Sequence, residues 1–126
     1  MTVFYATTIT EIGPEARDLI GGGMLILFAA GAPPELAEIS VLHQVKSGPT
    51  VAAPTVGSEL RIGAVSTRLT AIGETAWKKV ADLGHVVINF NGSVETGRPG
   101  ELYVAPVDGE ALAAAIAIGA EISISG

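Results

Sequence analysis

What most constrains this chain is how often it is made to turn. Sixteen glycines and seven prolines are spread over 126 residues, and no apolar stretch between them grows long. The longest runs are Met24–Ala30 (MLILFAA) and Ala111–Ile118 (ALAAAIAI), far short of the roughly 20 residues a membrane-spanning helix needs. Short apolar or β-branched segments bounded by turn residues read as strands. Thr2–Ile9, Met24–Ala29, Ser40–Val45, Glu59–Ile62, Ala64–Ile72, His85–Phe90, Leu102–Ala105 and Glu121–Ser125 all fit. In the first of them Val3, Tyr5, Thr7 and Ile9 share one face; in the third, Val41, His43 and Val45 do.

Helical signals are fewer. Pro14 can open a short turn that Gly21-Gly22-Gly23 stops. Pro34, Glu35, Leu36 and Glu38 suit one further turn, with carboxylates near its positive end. Glu74–Gly84 is the clearest helix. Trp77, Val80 and Ala81 fall on one side, Lys78, Lys79 and Asp82 on the other, and Gly84 is placed to cap it. Asp108–Ala115 is rich in good helix formers. Seven or eight short strands with two or three short helices predict a mainly β fold, a small closed or nearly closed β-barrel. The strands do not alternate with long helices, which argues against a doubly wound parallel sheet. No internal repeat and no linker is evident, so a single domain over residues 1–126 is expected.

Composition narrows the function classes. A chain that is 48% hydrophobic and 16% charged is not a disordered one. Its net charge is −6, and Lys78-Lys79 is the only adjacent basic pair. Nucleic acid and anionic membrane surfaces are therefore poor partners. The absence of cysteine removes disulfides, cysteine–zinc sites and thiol catalysis. The N-terminus shows no positively charged leader with a long apolar core, so a soluble, cytoplasmic protein without membrane insertion is expected.

Chemistry has few places to reside. His43, one of two histidines, lies in a half-apolar stretch after a short acidic turn. An imidazole of ordinary pKa, about 6.5, is mostly neutral at pH 7 and is a competent nucleophile, including toward phosphorus. A lone histidine in an apolar stretch equally suits a hydrogen-bonded structural role. If His43 reacts, Lys46, the Ser47 hydroxyl and the Ser47 and Gly48 amides can serve phosphoryl oxygens, and Glu38 can fix the second ring nitrogen. The competing reading of Lys46–Gly48 is a solvent-facing turn. His85 either bonds the end of the preceding helix or lies beside His43 across the barrel. No histidine or carboxylate spacing suits a metal, the triple glycine lacks the lysine of a nucleotide loop, and no nucleophile elbow surrounds Ser47 or Ser93. No metal or cofactor is expected.

Several stretches carry a family resemblance. MTVFYATTITEIG, GAPPELAEISVLHQV, TAIGETAWKKVADLGHVVINFNG and RPGELYVAP together resemble the glucitol/sorbitol-specific enzyme IIA component of the bacterial phosphoenolpyruvate-dependent sugar phosphotransferase system. PPELAEISVLH and LGHV are the most specific parts. The resemblance implies a compact β-barrel and a phosphohistidine carrier. A small phosphocarrier protein, HPr, would phosphorylate the histidine matching His43. That histidine would pass the group to the IIB component, with sorbitol phosphorylated during uptake through the membrane IIC component. It implies no role for His85. Two proteins must then reach one ring, so a shallow apolar surface around His43 is expected rather than a deep sugar pocket; Val41 and Val45, and after them Leu42, are candidates for it, and the competing reading places them in the core. A non-catalytic regulatory or scaffold module keeping the same fold is the alternative, and a small metal-dependent hydrolase a weaker third. A homodimer is plausible if an imperfect barrel leaves an edge strand unpaired.

Overall fold

The computed structural model describes residues 2–126. In chain order the elements are β1 (Val3–Ile12), α1 (Ala16–Gly21), β2 (Met24–Ala29), α2 (Pro34–Ala37), β3 (Val41–Ser47), β4 (Glu59–Ile62), β5 (Val65–Ile72), α3 (Ala76–Leu83), β6 (Val86–Asn89), β7 (Glu101–Val104), α4 (Gly109–Ala115) and β8 (Glu121–Ser125). The eight strands close on themselves in the order β1-β3-β2-β6-β7-β5-β4-β8. The ring is mixed: β2–β3 and β6–β7 run parallel and the other pairs antiparallel. The predicted barrel and its strands are therefore present, with four short helices where two or three were expected. Every strand has two neighbours, so the unpaired edge that favoured a homodimer is not there.

Alternation fills the barrel. Tyr5, Thr7 and Ile9 of β1 are buried, as are Leu25 and Leu27 of β2, Leu60 and Ile62 of β4, and Ile122 and Ile124 of β8. Helix α3 buries Ala76, Trp77 and Val80 against this core and turns Lys78 and Asp82 outward, 2.8 Å apart. It ends at Gly84, whose backbone is left-handed at φ 60°. A Cβ there would also stand 2.8 Å from the Ala29 Cβ, so glycine is required twice over. The Asp108 carboxylate caps α4 by accepting from the Ala111 amide at 3.0 Å.

The structure does contain an internal repeat, contrary to the sequence reading. The unit β1–α1–β2–α2–β3 recurs as β5–α3–β6–loop–β7. In the first unit Ile9, Glu11 and Ile12 pair with His43, Leu42 and Val41. In the second, Leu69, Ala71 and Ile72 pair with Val104, Tyr103 and Leu102. Both ladders shift register at the same place, around Thr10 and around Thr70. The parallel pairs match too, Leu27 with Val41 and Ile88 with Leu102. Gly13 and Gly73 both press on backbone, and a Cβ on either one would run into the carbonyl oxygen of Ala37 or of Pro99. Two copies of one βαβ-and-return unit, joined through β2–β6 and completed by β4 and β8, make the barrel. The repeat is masked in the sequence because α2 is replaced by a loop and few side chains coincide.

Candidate functional site

His43 stands on β3 opposite Ile9 and points into the barrel, with only 1% of its surface exposed. Both ring nitrogens are engaged. Nε2 lies 2.7 Å from the Gly84 carbonyl oxygen, and Nδ1 lies 2.6 Å from the Thr7 hydroxyl. A carbonyl only accepts, so the neutral ring carries its proton on Nε2, and the Thr7 hydroxyl donates to the bare Nδ1. Burial lowers the His43 pKa below its usual 6.5, against the opposing effect of the bond to Gly84. The ring is thus neutral at pH 7 and fixed in one tautomer.

Aromatic rings enclose it. Tyr5 meets His43 edge-on, with centroids 6.1 Å apart, and Trp77 meets Tyr5 in the same way at 6.1 Å. The Trp77 indole N–H donates to the Thr50 carbonyl at 2.7 Å, which ties the β3–β4 connection onto this corner. The Tyr5 hydroxyl is buried beside Thr7 without a partner in hydrogen-bonding geometry among the described residues. Burial pushes its pKa up to about 12.

The other expected site residues do not converge on His43. Glu38 is exposed at the end of α2 and makes no hydrogen bond to the ring; the Gly84 carbonyl and the Thr7 hydroxyl take the role assigned to it. Ser47 is exposed and lies in the β1–β3 ladder opposite Ala6. Lys46 is exposed and pairs with Glu121 at 3.2 Å. Gly48 is packed on Phe4. The segment therefore forms no cradle around the imidazole. The shallow apolar surface is not formed either. Val41 and Leu42 are buried, and of the three only Val45, at 41% exposure, faces solvent. The ladder is regular from the His43–Ile9 pair to the Val45–Thr7 pair, so Val45 keeps its place in the alternation with His43 and differs from it in exposure.

His85 does not lie beside His43. Its Nδ1–H donates to the Leu27 carbonyl at 3.0 Å, and its half-buried ring lies over Phe28, with centroids 4.8 Å apart. Phe28 alternates with the core residues Leu25 and Leu27, so this histidine sits on the outer side of the barrel wall. An open groove outside β3 is lined by Leu42, Pro14, Pro34, Ile118 and the carboxyl-bearing Glu11 and Glu38. Among the described residues no group of three histidines or carboxylates stands together to hold a metal. Among the described residues no helix is long and apolar enough to cross a membrane.

The repeat isolates what is special about this corner. The register position of His43 is taken by Val104 in the second unit. There Thr67, the counterpart of Thr7, donates to the Ala105 carbonyl at 2.8 Å instead. The same backbone is thus built with a valine where the first unit buries an imidazole.

Comparison with known proteins bears on this corner. Residues 4–123 match the family model described as PTS system glucitol/sorbitol-specific IIA component. The glucitol/sorbitol-specific EIIA components of Shigella flexneri and of Escherichia coli (strain K12) are each 39% identical over 105 residues, covering 83% of this chain and 84% of the relative. The crystal structure of a PTS system IIA component from Enterococcus faecalis V583 superposes with a TM-score of 0.74 at 24% identity, covering 96% of this chain and 99% of that one, and bears out the fold. The chain belongs to the glucitol/sorbitol-specific IIA components of the phosphotransferase system, phosphocarriers in sugar uptake.

Proposed function

We propose that this protein carries a phosphoryl group on His43, taking it from phosphorylated HPr and passing it to a IIB component as sorbitol is taken up through IIC. One observation carries the choice of residue. The fold makes the same corner twice and needs no imidazole to do so, since Val104 serves in the second unit. An imidazole that the fold does not require, kept neutral and in one tautomer, is a candidate for use. The stretch around His43 also resembles the segment that carries the family's phosphorylated histidine. The relatives' names supply sorbitol, and the carrier is proposed to act as a single domain in the cytoplasm.

The chemistry needs little from the chain. A ring-nitrogen lone pair attacks phosphorus in line as the donor's N–P bond breaks, and that bond's electron pair returns to the donor ring. Catalysis is mostly positioning and charge stabilisation. Lys46 and Ser47 point elsewhere in this state, so the partner proteins supply the groups that meet the phosphoryl oxygens. The ring is covered here, and transfer proceeds from a form in which the cover has moved.

The same burial favours a second reading, a regulatory or scaffold module in which His43 is structural. One experiment separates the two. The protein is incubated with phosphoenolpyruvate, enzyme I and HPr, and its mass is followed. The carrier reading expects one acid-labile, alkali-stable phosphoryl group, lost in His43→Gln and kept in His85→Gln. No gain, with the components active on another carrier, favours the module. A gain lost only in His85→Gln moves the acceptor to the outer histidine.

A further inference from the structure

The two nitrogens of His43 differ in what must move to uncover them. Nδ1 faces Thr7 on β1, a strand paired on one side with β3 and on the other with β8. Reaching it means parting the barrel wall. Nε2 faces the Gly84 carbonyl, which belongs to the turn between α3 and β6. What covers this nitrogen is a helix cap and not a strand paired on both sides. Yet in the closed state the proton is on Nε2 and the lone pair on Nδ1. Attack through the nitrogen that can be opened therefore needs the ring in its other tautomer.

Thr7 is suited to that change. A hydroxyl both donates and accepts. It donates to Nδ1 now, and by turning it accepts an Nδ1–H without moving its oxygen. Its own O–H then needs a new acceptor, and the unpartnered, buried Tyr5 hydroxyl stands beside it. The second unit has neither provision. Thr67 is tied to a carbonyl, which cannot reverse, and Val65 stands where Tyr5 would.

We propose that Thr7 is a positioning residue for phosphoryl transfer, its hydroxyl reversing from donor to acceptor as the His43 proton moves from Nε2 to Nδ1. The inference rests on the reading that His43 carries the phosphoryl group. In the opened form Nε2 releases its proton to water, and Nδ1 takes one up from water relayed by the Tyr5 and Thr7 hydroxyls, each of which passes on one proton and receives another, so the ring keeps a single proton. The Nε2 lone pair forms the new N–P bond while the donor's N–P bond breaks and its electron pair returns to the donor ring. The phosphorylated ring is left with Nδ1–H donating to the Thr7 oxygen.

The test uses the intact protein labelled with nitrogen-15, with imidazole spectra taken before and after phosphorylation by HPr. The expected result is Nε2–H at first, then the phosphoryl group on Nε2 with Nδ1–H. Thr7→Val, which keeps the shape but cannot accept, slows transfer by about ten- to a hundredfold, the rate equivalent of one unpaired buried N–H. It leaves the resting Nε2–H tautomer in place, and Thr7→Ser restores the rate. Transfer in Thr7→Val at the wild-type rate overturns the role of Thr7. So does a wild-type phosphoryl group found on Nδ1, a readout that stands even if Thr7→Val does not fold. No phosphoryl group on wild-type His43 is a different failure, because it removes the carrier reading itself and this inference with it.

Discussion

At the residue scale, His43 makes two opposing demands, since the burial that keeps it neutral also hides it. Its pKa is lowered by burial, so below the ordinary 6.5 the unfolded chain binds a proton more readily than the folded one. The stability contribution is complete above 6.5 and declines as pH falls below it. Urea midpoints measured from pH 7.5 down to 5 should therefore drop more steeply for the wild type than for His43→Gln; parallel slopes would show that the buried ring does not resist protonation. Tyr5 behaves oppositely. Its pKa is raised by burial to about 12, so its contribution is complete below 10 and is lost as pH rises toward 12. The glycine that bonds His43 is equally constrained. Gly84→Ala adds a Cβ at 2.8 Å from that of Ala29 on a left-handed backbone and is expected to lower stability by at least about 2 kcal/mol, read from denaturant unfolding. The presence of His43 was legible in the sequence as the one side chain with a route to phosphorus. Its partners were not. Thr7 and Gly84 stand 36 and 41 residues away in the chain, and nothing local marks them. Glu38 was a reasonable guess by proximity, but α2 ends with it facing solvent.

At the scale of elements, turn residues made most of the strands visible. Met24–Ala29 and Glu121–Ser125 match their predicted limits, because glycines or a change of polarity bound them closely. The β3 alternation of Val41, His43 and Val45 holds, because the ladder's irregularities fall at Thr10 of β1 and Lys46 of β3, but a period-2 pattern does not reveal that Val45 is exposed while the other two are buried. Helix α3 was read from its apolar face, but its role at the site was not. Trp77 both packs on Tyr5 and holds Thr50 through its indole N–H. Trp77→Phe keeps an aromatic ring and loses that bond, at a cost of about 1 kcal/mol. The connection between β3 and β4 should then be cut faster by limited proteolysis, while a wild-type cleavage rate would mean that the indole bond does not restrain it. At the opposite side of the chain Arg17 donates to the Ala113 and Ile116 carbonyls at 3.0 and 2.9 Å, linking α1 to the end of α4, another contact between distant segments that no local pattern announces.

For the whole molecule, the repeated unit is the organising fact. Its signature in the sequence is spare: Gly13 and Gly73 against backbone, Ala16 and Ala76 in the core, and Ile12 and Ile72 at the strand ends. These positions are fixed by close approach and burial, whereas the remaining side chains are free to diverge, so the eye finds no repeat. Closure of the ring also removes strand edges as a route to self-association. The difference between the units is then informative, because one fold solution holds Thr7 and His43 and the other Thr67 and Val104. The account therefore stands on where the phosphoryl group goes. The most direct measurement is to phosphorylate the wild-type protein with HPr, digest it under alkaline conditions that preserve phosphohistidine, and locate the group by mass spectrometry. The expected result is phosphoryl on the fragment containing His43 and none on the fragment containing His85. Phosphoryl on the His85 fragment alone, or on neither, would contradict the account.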